Sequence, residues 1–309
     1  MKRIIIDCDP GIDDAQAIMM AYKHPEIEIE AITTVCGNVS VEKTTANALK
    51  VLDVLEADLI PVYSGAPSGL VESASNASFV HGEDGLGDAG IPKSNRKAET
   101  EPAALALIRL AHENPNELEL IAIGPLTNLA LALQLEPELP KYFNRLVIMG
   151  GAYLGQGNTE NLAAEFNIFA DPDAAKVVFD HWPGLTMVSW EATIDHAVPL
   201  DMLENWMNLN TPRSDFVKKV THKLLAFIKT KFDGGVSFAA DPLAMAVLME
   251  PEIILEIDKK FVQIECHGSL TRGMTVVDWF EMTGHTPNVQ IVRKVDSNRF
   301  FALFKMAFE

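Results

Sequence analysis

The sequence predicts an α/β fold: an open, mostly parallel twisted sheet, Rossmann-like, with helices on both faces and an active site at the C-terminal ends of the strands. Two observations predict this class. Strand-like segments alternate with helix-like segments along the chain, which is typical of βαβ units. The strand-like segments are also short, β-branched and apolar, as expected of parallel strands that helices cover on both faces.

The predicted strands are short apolar runs bounded by turn residues. In order they are RIIIDC, IEIEAITTVCG, IPVYSG, LELIAIG, RLVIMGG, LTMVSW, FVQIECHG and NVQIVRKV. The predicted helices carry apolar residues at helical spacing, as Ala15, Ile18, Met19 and Tyr22 do in the first. They are DDAQAIMMAYKH, VEKTTANALKVLDVLEA, PAALALIRLAHEN, PLTNLALALQLEP, DPDAAKVVFDHW and DPLAMAVLMEP, and NRFFALFKMAF closes the chain. Proline in the first turn of PLTNLALALQLEP favours a helix start there.

We expect residues 1–309 to form a single domain, because the chain contains no linker, internal repeat or low-complexity tract and its length fits one large α/β unit. Three predicted connections are too long and polar for simple turns. They are about 64–99, 152–164 and 211–240, the last partly helical. Long loops in a compact domain are usually lids or binding loops, so we expect these to border the active site.

Composition and charge exclude several classes of function. Hydrophobic residues make up 48% of the chain, yet no apolar run reaches the roughly 18 residues of a membrane span. The formal net charge of −18 repels nucleic acid polymers and anionic membranes but tolerates neutral substrates. Three scattered cysteines fit neither a disulfide framework nor a zinc site, and no export signal precedes the first strand. We therefore expect a cytoplasmic protein with no nucleic acid or membrane partner.

Four aspartates lie within eight positions around the end of the first strand. Asp7 and Asp9 end the strand, and Gly11 is expected to turn the chain with a positive φ. Asp13 and Asp14 begin the helix, where the helix dipole favours carboxylates. Helix capping explains one or two of these acids. The others place negative charge at the strand end, where ligands bind in such folds.

The clustered acids predict a cation. Two carboxylates about 4 Å apart repel by a few kcal/mol at an effective dielectric constant of about 20, so a shared proton or a cation must offset the repulsion. Oxygen ligands favour a hard ion, Ca²⁺ or Mg²⁺. Neighbouring helical positions differ by about 100°, so we expect Asp13 and Asp14 to face different partners, one a metal ion and the other a substrate.

Other predicted strand ends carry polar groups that suit a sugar. Asn38 follows TTVCG, IGPLTN offers a bare main-chain carbonyl, and Asp241 begins a helix. Glu165 and Asn167 are two residues apart in what we expect to be an extended segment, where both side chains point to one side. These groups include no Lys or Arg, which favours neighbouring hydroxyls over a phosphate as the ligand.

At this point the sequence resembles a known family, the inosine–uridine-preferring nucleoside hydrolases. The resemblance rests on DCDPGIDDA and continues in order through AITTVCGN, HGEDGLG, IGPLTNLA, VIMGGAY, AEFNIFADPDAA, DPLAMA and GMTVVDW. It implies hydrolysis of the N-glycosidic bond of ribonucleosides to ribose and a free purine or pyrimidine base, with a tightly bound Ca²⁺. It also implies nucleoside catabolism, purine and pyrimidine salvage, and a homodimer or homotetramer.

The resemblance assigns roles residue by residue. It implies that Asp9 is both a metal ligand and the general base for the attacking water. The other implied protein ligands of Ca²⁺ are Asp14, Asp241 and the main-chain carbonyl of Ile123. The implied ribose contacts are Asp13, Asn38, Met149, Glu165 and Asn167. Asn158 is the expected contact of the 5′-hydroxyl, and Thr159 also fits because the loop is one residue longer here.

The sequence departs from the family on the side of the nucleobase. Many members carry a histidine, and others a tryptophan, immediately before the last metal aspartate, where this chain has Ala240. A methyl group can neither protonate a nucleobase nor stack on it. The sequence therefore assigns neither the general acid that protonates the leaving nucleobase nor the preferred nucleobase. The alternative is a nucleoside- or ribose-binding protein with weak turnover. His81, in FVHGEDG, matches a histidine on the base side, and we expect it to line the pocket.

Several other side chains have weaker assignments. Candidates for stacking on a base, as against core packing, are Phe79, Phe232 and Phe238. Polar residues in a segment whose pattern favours a solvated amphipathic helix are His222, Lys229, Lys231 and Asp233. The tryptophans assigned to packing are Trp182, Trp190, Trp206 and Trp279. A phosphatase of the haloacid-dehalogenase type is a third hypothesis, because IIIDCD is also a strand followed by DxD, but Pro10 and the missing downstream lysine set disfavour it.

Overall fold

The computed structural model describes residues 1–72, 76–231 and 235–309. Its strands are β1 Lys2–Cys8, β2 Ile27–Thr34, β3 Val62–Ser64, β4 Leu118–Ala122, β5 Phe143–Met149, β6 Leu185–Val188, β7 Val198–Pro199, β8 Val236–Ser237, β9 Ile254–Lys260, β10 Val262–Ile264, β11 Thr275–Val277 and β12 Val289–Val295. Its α-helices are α1 Ile12–Lys23, α2 Val41–Val54, α3 Ser78–His81, α4 Ala103–Glu113, α5 Thr127–Leu135, α6 Phe166–Ala170, α7 Pro172–His181, α8 Trp190–Asp195, α9 Leu200–Met207, α10 Pro212–Val220, α11 His222–Lys231, α12 Ala240–Met249 and α13 Ser297–Lys305. The 3₁₀ helices are Leu139–Tyr142 and Pro251–Ile253.

The central sheet has eight strands in the order β3-β2-β1-β4-β5-β6-β12-β9. All neighbours pair in parallel except β9, which runs antiparallel to β12. Strands β2 and β3 extend from β1 toward one edge, and β4, β5 and β6 extend toward the other. The order therefore reverses between β1 and β4, and the crevice beyond the C-terminal ends of these two strands is where such sheets bind ligands.

Two hydrophobic cores cover the two faces of the sheet, as the predicted fold class requires. Side chains of β1 alternate between them: Ile4 and Ile6 pack in one core, with α1, α2, α12 and α13, and Ile5 packs in the other, with α4, α5 and α7. Fully apolar strands follow from burial on both faces. The predicted α/β class is confirmed. Within the described parts of the chain, no helix is long and apolar enough to cross a membrane.

The first turn differs from its prediction. Gly11 has φ −101°, so the expected positive φ is wrong. Glycine is required there for space: an added Cβ would lie 2.5 Å from His81 Nδ1 and 2.7 Å from Asn38 Nδ2. Glycine is needed at position 11 because the Asn38 and His81 side chains approach its backbone closely, and not because the turn has a positive φ.

One further expectation is wrong. Glu165 and Asn167 do not lie in an extended segment, because Glu165 is the N-cap of α6 and its carboxylate accepts the N–H groups of Asn167 and Ile168. The strand predicted in FVQIECHG is present as β10, and it pairs with β11 in a separate two-stranded sheet. Strand β9 was not predicted, and it forms an edge of the central sheet.

Candidate functional site

The site begins with Asp9, which is almost fully buried at the C-terminal end of β1. The backbone N–H of Asn38 donates to Asp9 Oδ2 at 2.7 Å. Gly37 and Gly124 pass against the same carboxylate, since an added Cβ would lie 2.1 Å from Oδ2 at Gly37 and 2.7 Å from Oδ1 at Gly124. The loops after β2 and β4 thus form a cradle that only glycine allows.

The N-terminus of α1 holds the second acid. Asp14 is fully buried, and its carboxylate accepts the N–H groups of Gly11 at 2.8 Å and of Asp9 at 3.1 Å. Asn38 Nδ2 also donates to Asp14 Oδ2 at 3.2 Å and to the Asp9 carbonyl at 3.1 Å. These bonds join the ends of β1 and β2 to the helix start. Asn38, which follows β2, therefore links that strand end to Asp9 and Asp14.

Three aspartates converge at this edge of the sheet. One carboxylate oxygen each from Asp13, Asp14 and Asp241 lies within 4.8 Å of the other two. Asp13 and Asp14 thus approach each other although neighbouring helical positions differ by about 100°, and the assignment of one to a metal ion and the other to a substrate stays a prediction. Asp9 is not one of the three, but its charge contributes to the raised pKa of Asp241.

Burial and mutual repulsion raise the pKa values of these acids. Burial, followed by the charge of Asp14, raises the pKa of Asp9 well above its usual range. The pKa of Asp241 is also raised well above its usual range, by burial and then by Asp13. Burial and Asp13 raise the pKa of Asp14 to about 7. An all-oxygen donor set whose charges repel in this way fits a hard divalent cation, which would offset the repulsion.

The wall beyond β4 and β5 contains four predicted residues. Asn167 Nδ2 donates to the carbonyls of Ile123 at 2.9 Å and of Met149 at 3.1 Å, so the Ile123 carbonyl faces an amide. Glu165 accepts the N–H groups of Gly151 and of Asn167, both at 3.0 Å. Burial raises the pKa of Glu165 to about 7. These contacts bring the ends of β4, β5 and α6 to one side of the aspartates.

His81 and an aromatic pair lie near the same strand ends. His81 is the last residue of α3, and its Nδ1 accepts the N–H of Ile12, at the start of α1, at 3.1 Å. Burial lowers the pKa of His81. The rings of Trp190 and Phe238 are 5.3 Å apart, and the Trp190 ring packs against the core that contains α1 and α12, as expected. The backbone N–H of Trp190 donates to the Gly151 carbonyl at 2.9 Å, which joins the start of α8 to the loop that follows β5.

Position 240 is the first residue of α12, immediately before Asp241, and Ala240 is buried there. Phe79 has 73% of its surface exposed, so it does not pack in a core. Phe232 and Asp233 lie outside the described residues, as do the side chains of Lys229 and Lys231. His222 is exposed at the start of α11, in agreement with a solvated helix.

Sequence analysis missed a buried network beneath the site. Asp7 Oδ1 accepts the Thr33 hydroxyl at 2.5 Å and Asn128 Nδ2 at 2.8 Å. Asn128 also donates to the Thr34 carbonyl at 3.0 Å and accepts the Ala66 N–H at 2.9 Å. The network ties the ends of β1, β2 and β3 to α5. The signal was present, because Asn128 closes the motif IGPLTN, but its partners are distant in sequence.

The sequence is similar to known proteins over nearly its full length. Residues 4–302 match the sequence profile of the family described as inosine-uridine preferring nucleoside hydrolase. The chain is 38% identical over 303 residues to a pyrimidine-specific ribonucleoside hydrolase, RihA, of Klebsiella pneumoniae (strain 342), covering 97% of this chain and 96% of that protein.

Solved structures are similar over nearly the full length. An inosine-guanosine nucleoside hydrolase superposes with a TM-score of 0.92 at 34% identity, and a purine-preferring ribonucleoside hydrolase from Gardnerella vaginalis with a TM-score of 0.91 at 33% identity. Each comparison covers 99% of this chain and 98% of the other. These names include both pyrimidine and purine substrates, so likeness alone does not select a base.

Proposed function

The chain belongs to the family of inosine-uridine preferring nucleoside hydrolases and is an N-glycosidase, and from this premise we propose that it is a Ca²⁺-dependent ribonucleoside hydrolase with Asp9 as the general base. The products are ribose and a free purine or pyrimidine base. The observation that carries the proposal is the buried Asp9, whose N–H donates to Asp14 at 3.1 Å. Asp14 in turn converges with Asp13 and Asp241, since one carboxylate oxygen from each lies within 4.8 Å of the other two. Membership of this family excludes the phosphatase hypothesis.

The residues that would hold the ion are Asp9, Asp14, Asp241 and the main-chain carbonyl of Ile123. When bound, Ca²⁺ supplies a positive charge that acidifies water and offsets the repulsion among the carboxylates. The donor set supports this ion, because carboxylate and carbonyl oxygens are its usual ligands. Asp13 offers a further oxygen beside the same point, and we assign it to the ribose.

Asp9 takes the proton of the attacking water. Its carboxylate is held by the Asn38 N–H at 2.7 Å and by the two-glycine cradle, so its orientation is fixed before substrate binds. Burial raises its pKa, which favours proton acceptance. Breaking the N-glycosidic bond develops positive charge on the ribosyl ring, as in other glycoside hydrolysis, and the surrounding carboxylates stabilise that charge.

The ribose is held by neutral amides and acids around the ion. We assign Asn38, Met149, Glu165 and Asn167 to the sugar together with Asp13, and Asn158 to its 5′-hydroxyl. Hydrogen bonds to several hydroxyls fix the sugar relative to Asp9, so binding energy is used to align the reacting atoms. No lysine or arginine is among these residues, which supports a nucleoside rather than a nucleotide as the substrate.

His81 lines the base side of the pocket. Because its Nδ1 accepts a backbone N–H, the neutral ring carries its proton on Nε2, and this N–H is a donor. The residue that protonates the leaving base is not assigned, since the side chain of Ala240 has no proton to donate. If no residue supplies it, the protein binds nucleosides and turns them over slowly.

The decisive experiment compares substrates that differ in their need for a proton. A nucleoside panel should release base and ribose, and removal of calcium with EDTA should abolish that release. Brisk cleavage of p-nitrophenyl riboside with slow cleavage of every nucleoside would support the weak-turnover alternative, because nitrophenolate leaves without protonation. Persistent activity after verified calcium removal contradicts the metal role.

Asp9→Asn tests the general base, since it keeps the shape of the side chain and removes its basicity. We expect a loss of at least about 100-fold in kcat on both kinds of substrate. Asp53→Asn, an exposed change on α2, is the matched control and should behave as the parent protein. If Asp9→Asn cleaves p-nitrophenyl riboside at the parent rate, the assignment of the base is wrong.

We further propose a cytoplasmic homodimer or homotetramer that supplies free bases for purine and pyrimidine salvage. The three free cysteines support a reducing compartment. Sedimentation analysis tests the assembly, and a monomer at working concentrations would contradict it.

A further inference from the structure

The loop after β5 closes on itself beside the proposed ribose site. Gly157 N–H donates to the Leu162 carbonyl at 2.9 Å, and Asn158 N–H donates to the Ala164 carbonyl at 3.1 Å. A Cβ at Gly157 would lie 2.2 Å from the Ala164 carbonyl oxygen, so only glycine permits this approach. Leu162 has φ +64°, a rare conformation for a leucine. The loop therefore has a defined shape that its hydrogen bonds must hold.

Asn161 makes most of the side-chain bonds that hold this loop. Its Oδ1 accepts the N–H groups of Ala163 and Ala164, each at 3.1 Å, and lies 3.0 Å from the Thr159 hydroxyl. Its Nδ2 donates to the Arg272 carbonyl at 2.6 Å, in the connection between β10 and β11. One amide thus folds the loop and ties it to a second segment.

The two candidate contacts of the 5′-hydroxyl, Asn158 and Thr159, differ in whether their side chains already make hydrogen bonds within the loop. The Thr159 hydroxyl has acceptors at 3.0 Å in both Asn161 Oδ1 and the Ala164 carbonyl, so its hydrogen is used within the loop. Across the described residues, the Asn158 side chain makes no hydrogen bond, and it is exposed. Asn158 is therefore the one whose amide is available to a ligand.

We propose that Asn161 is a positioning residue for the 5′ end of the substrate: it holds the 157–164 loop in the shape that presents the Asn158 amide to the ribose 5′-hydroxyl. The proposal rests on the proposed function, because it takes the ribose to lie against Glu165. Asn161 accepts the N–H of Ala164, the residue before Glu165. Loss of Asn161 therefore moves the Asn158 amide relative to the ribose. Asp9 and the aspartates on α1 and α12 belong to other segments, and we expect them to stay in place.

The test compares a nucleoside with its 5′-deoxy counterpart. For Asn161→Ala we expect kcat/KM on the nucleoside to fall about tenfold, the equivalent of one hydrogen bond to substrate, and to change about twofold or less on the 5′-deoxynucleoside. Asn158→Ala should give the same pattern, and the double variant should lose no more than either single one. Asn161→Asp keeps the acceptor oxygen and loses the bond to Arg272, so we expect an intermediate effect.

Equal losses on both substrates would overturn the proposal, because they indicate a general structural role, and so would no loss on either. The matched control is Asn298→Ala, an exposed asparagine on α13, which should change neither value. Thermal unfolding of each variant separates a local change from failure to fold, and Asn161→Asp replaces Asn161→Ala if the latter is unfolded.

Calorimetric binding of 1,4-anhydroribitol and its 5-deoxy counterpart, both fixed five-membered rings, gives a second measurement that does not depend on turnover. If the parent protein hydrolyses no nucleoside, the proposed function fails, but a preference for 1,4-anhydroribitol that Asn161→Ala removes still supports the positioning role. If the parent protein binds the two compounds equally, the 5′ contact does not exist and the proposal is wrong.

Discussion

Asp9 owes its position to two glycines that come from different parts of the chain. Gly37 follows β2 and Gly124 follows β4, the neighbours of β1 on either side. Both are visible in the sequence as the last residue of a predicted strand. Their common contact with Asp9 is not, because it depends on which strands lie beside β1. Local sequence patterns predict the acids of the site. The residues that hold those acids in place depend on the order of the strands in the sheet, which local patterns do not predict.

Replacing the glycine behind Asp9 should therefore damage catalysis more than stability. In Gly37→Ala the new Cβ would lie 2.1 Å from Asp9 Oδ2, so the carboxylate must move, and we expect kcat to fall about 100-fold because a displacement near 1 Å has that cost. Steady-state kinetics with a nucleoside gives the measurement. The control is Gly184→Ala, where φ is +75° but the Cβ meets nothing within 4 Å.

Gly184→Ala should lose about 1 kcal/mol of unfolding free energy from backbone strain and keep its kcat. A Gly37→Ala protein with the parent kcat would mean that Asp9 is not held by this cradle, or that it is not the base.

At the scale of elements, the side chain of His81 joins α3 to α1. His81 ends α3 and accepts the N–H of Ile12 at the start of α1, and the charged group facing it is the Asp13 carboxylate, 3.9 Å away. A protonated imidazole cannot accept that N–H. Burial lowers the pKa of His81, and the attraction of Asp13 offsets only part of this effect. The contact between the two helices therefore depends on a neutral ring.

This dependence gives a pH prediction. Below the usual histidine pKa of about 6.5, the unfolded chain binds a proton that the folded protein refuses, so His81 makes the protein less stable as pH falls. In His81→Asn the amide oxygen takes the place of Nδ1 as acceptor and does not titrate. Urea unfolding at a series of pH values gives the free energy of unfolding of both proteins. We expect the free energy of the variant to rise relative to that of the parent protein as pH falls below about 6.5. Above that pH we expect the difference between the two to be constant.

A constant difference at every pH would contradict the neutral, buried ring. Both proteins are compared at the same calcium concentration, and the prediction concerns only the change in their difference near pH 6.5, where histidine titrates at about that value. Asp13→Asn in both backgrounds controls for the carboxylate that faces His81.

The predicted elements succeed or fail for identifiable reasons. Buried strands such as β1 were recognisable because both faces are apolar. Strand β9 was not, because it is a largely exposed edge strand with charged residues among its apolar ones, a pattern also typical of a loop. The spacing of Glu165 and Asn167 also suits an extended segment, but the Glu165 carboxylate caps α6. A side chain that caps a helix bonds to backbone N–H groups two or three residues later, and hydrophobic periodicity does not reveal such a bond.

At the scale of the whole molecule, the fold concentrates negative charge in one crevice. The chain carries a net charge of −18, and the acids of the site come from α1 and α12, more than two hundred residues apart in sequence. Both helices begin at the C-terminal edge of the sheet, where α1 follows β1. Folding therefore forces together carboxylates that repel, and the folded state without a cation bears that cost.

Calcium should consequently stabilise the whole protein. An ion that binds only the folded state adds RT ln(1 + [L]/Kd), about 2.7 kcal/mol at 100 times Kd, so the melting temperature of EDTA-treated protein should rise with added Ca²⁺. Asp241→Asn removes one charge of the trio and should shrink this rise, while the apo protein gains stability because less charge is buried. Asp53→Asn, exposed on α2, should keep the full rise. Folded apo protein with a melting temperature that calcium does not change would refute the metal site, whatever its activity on nucleosides.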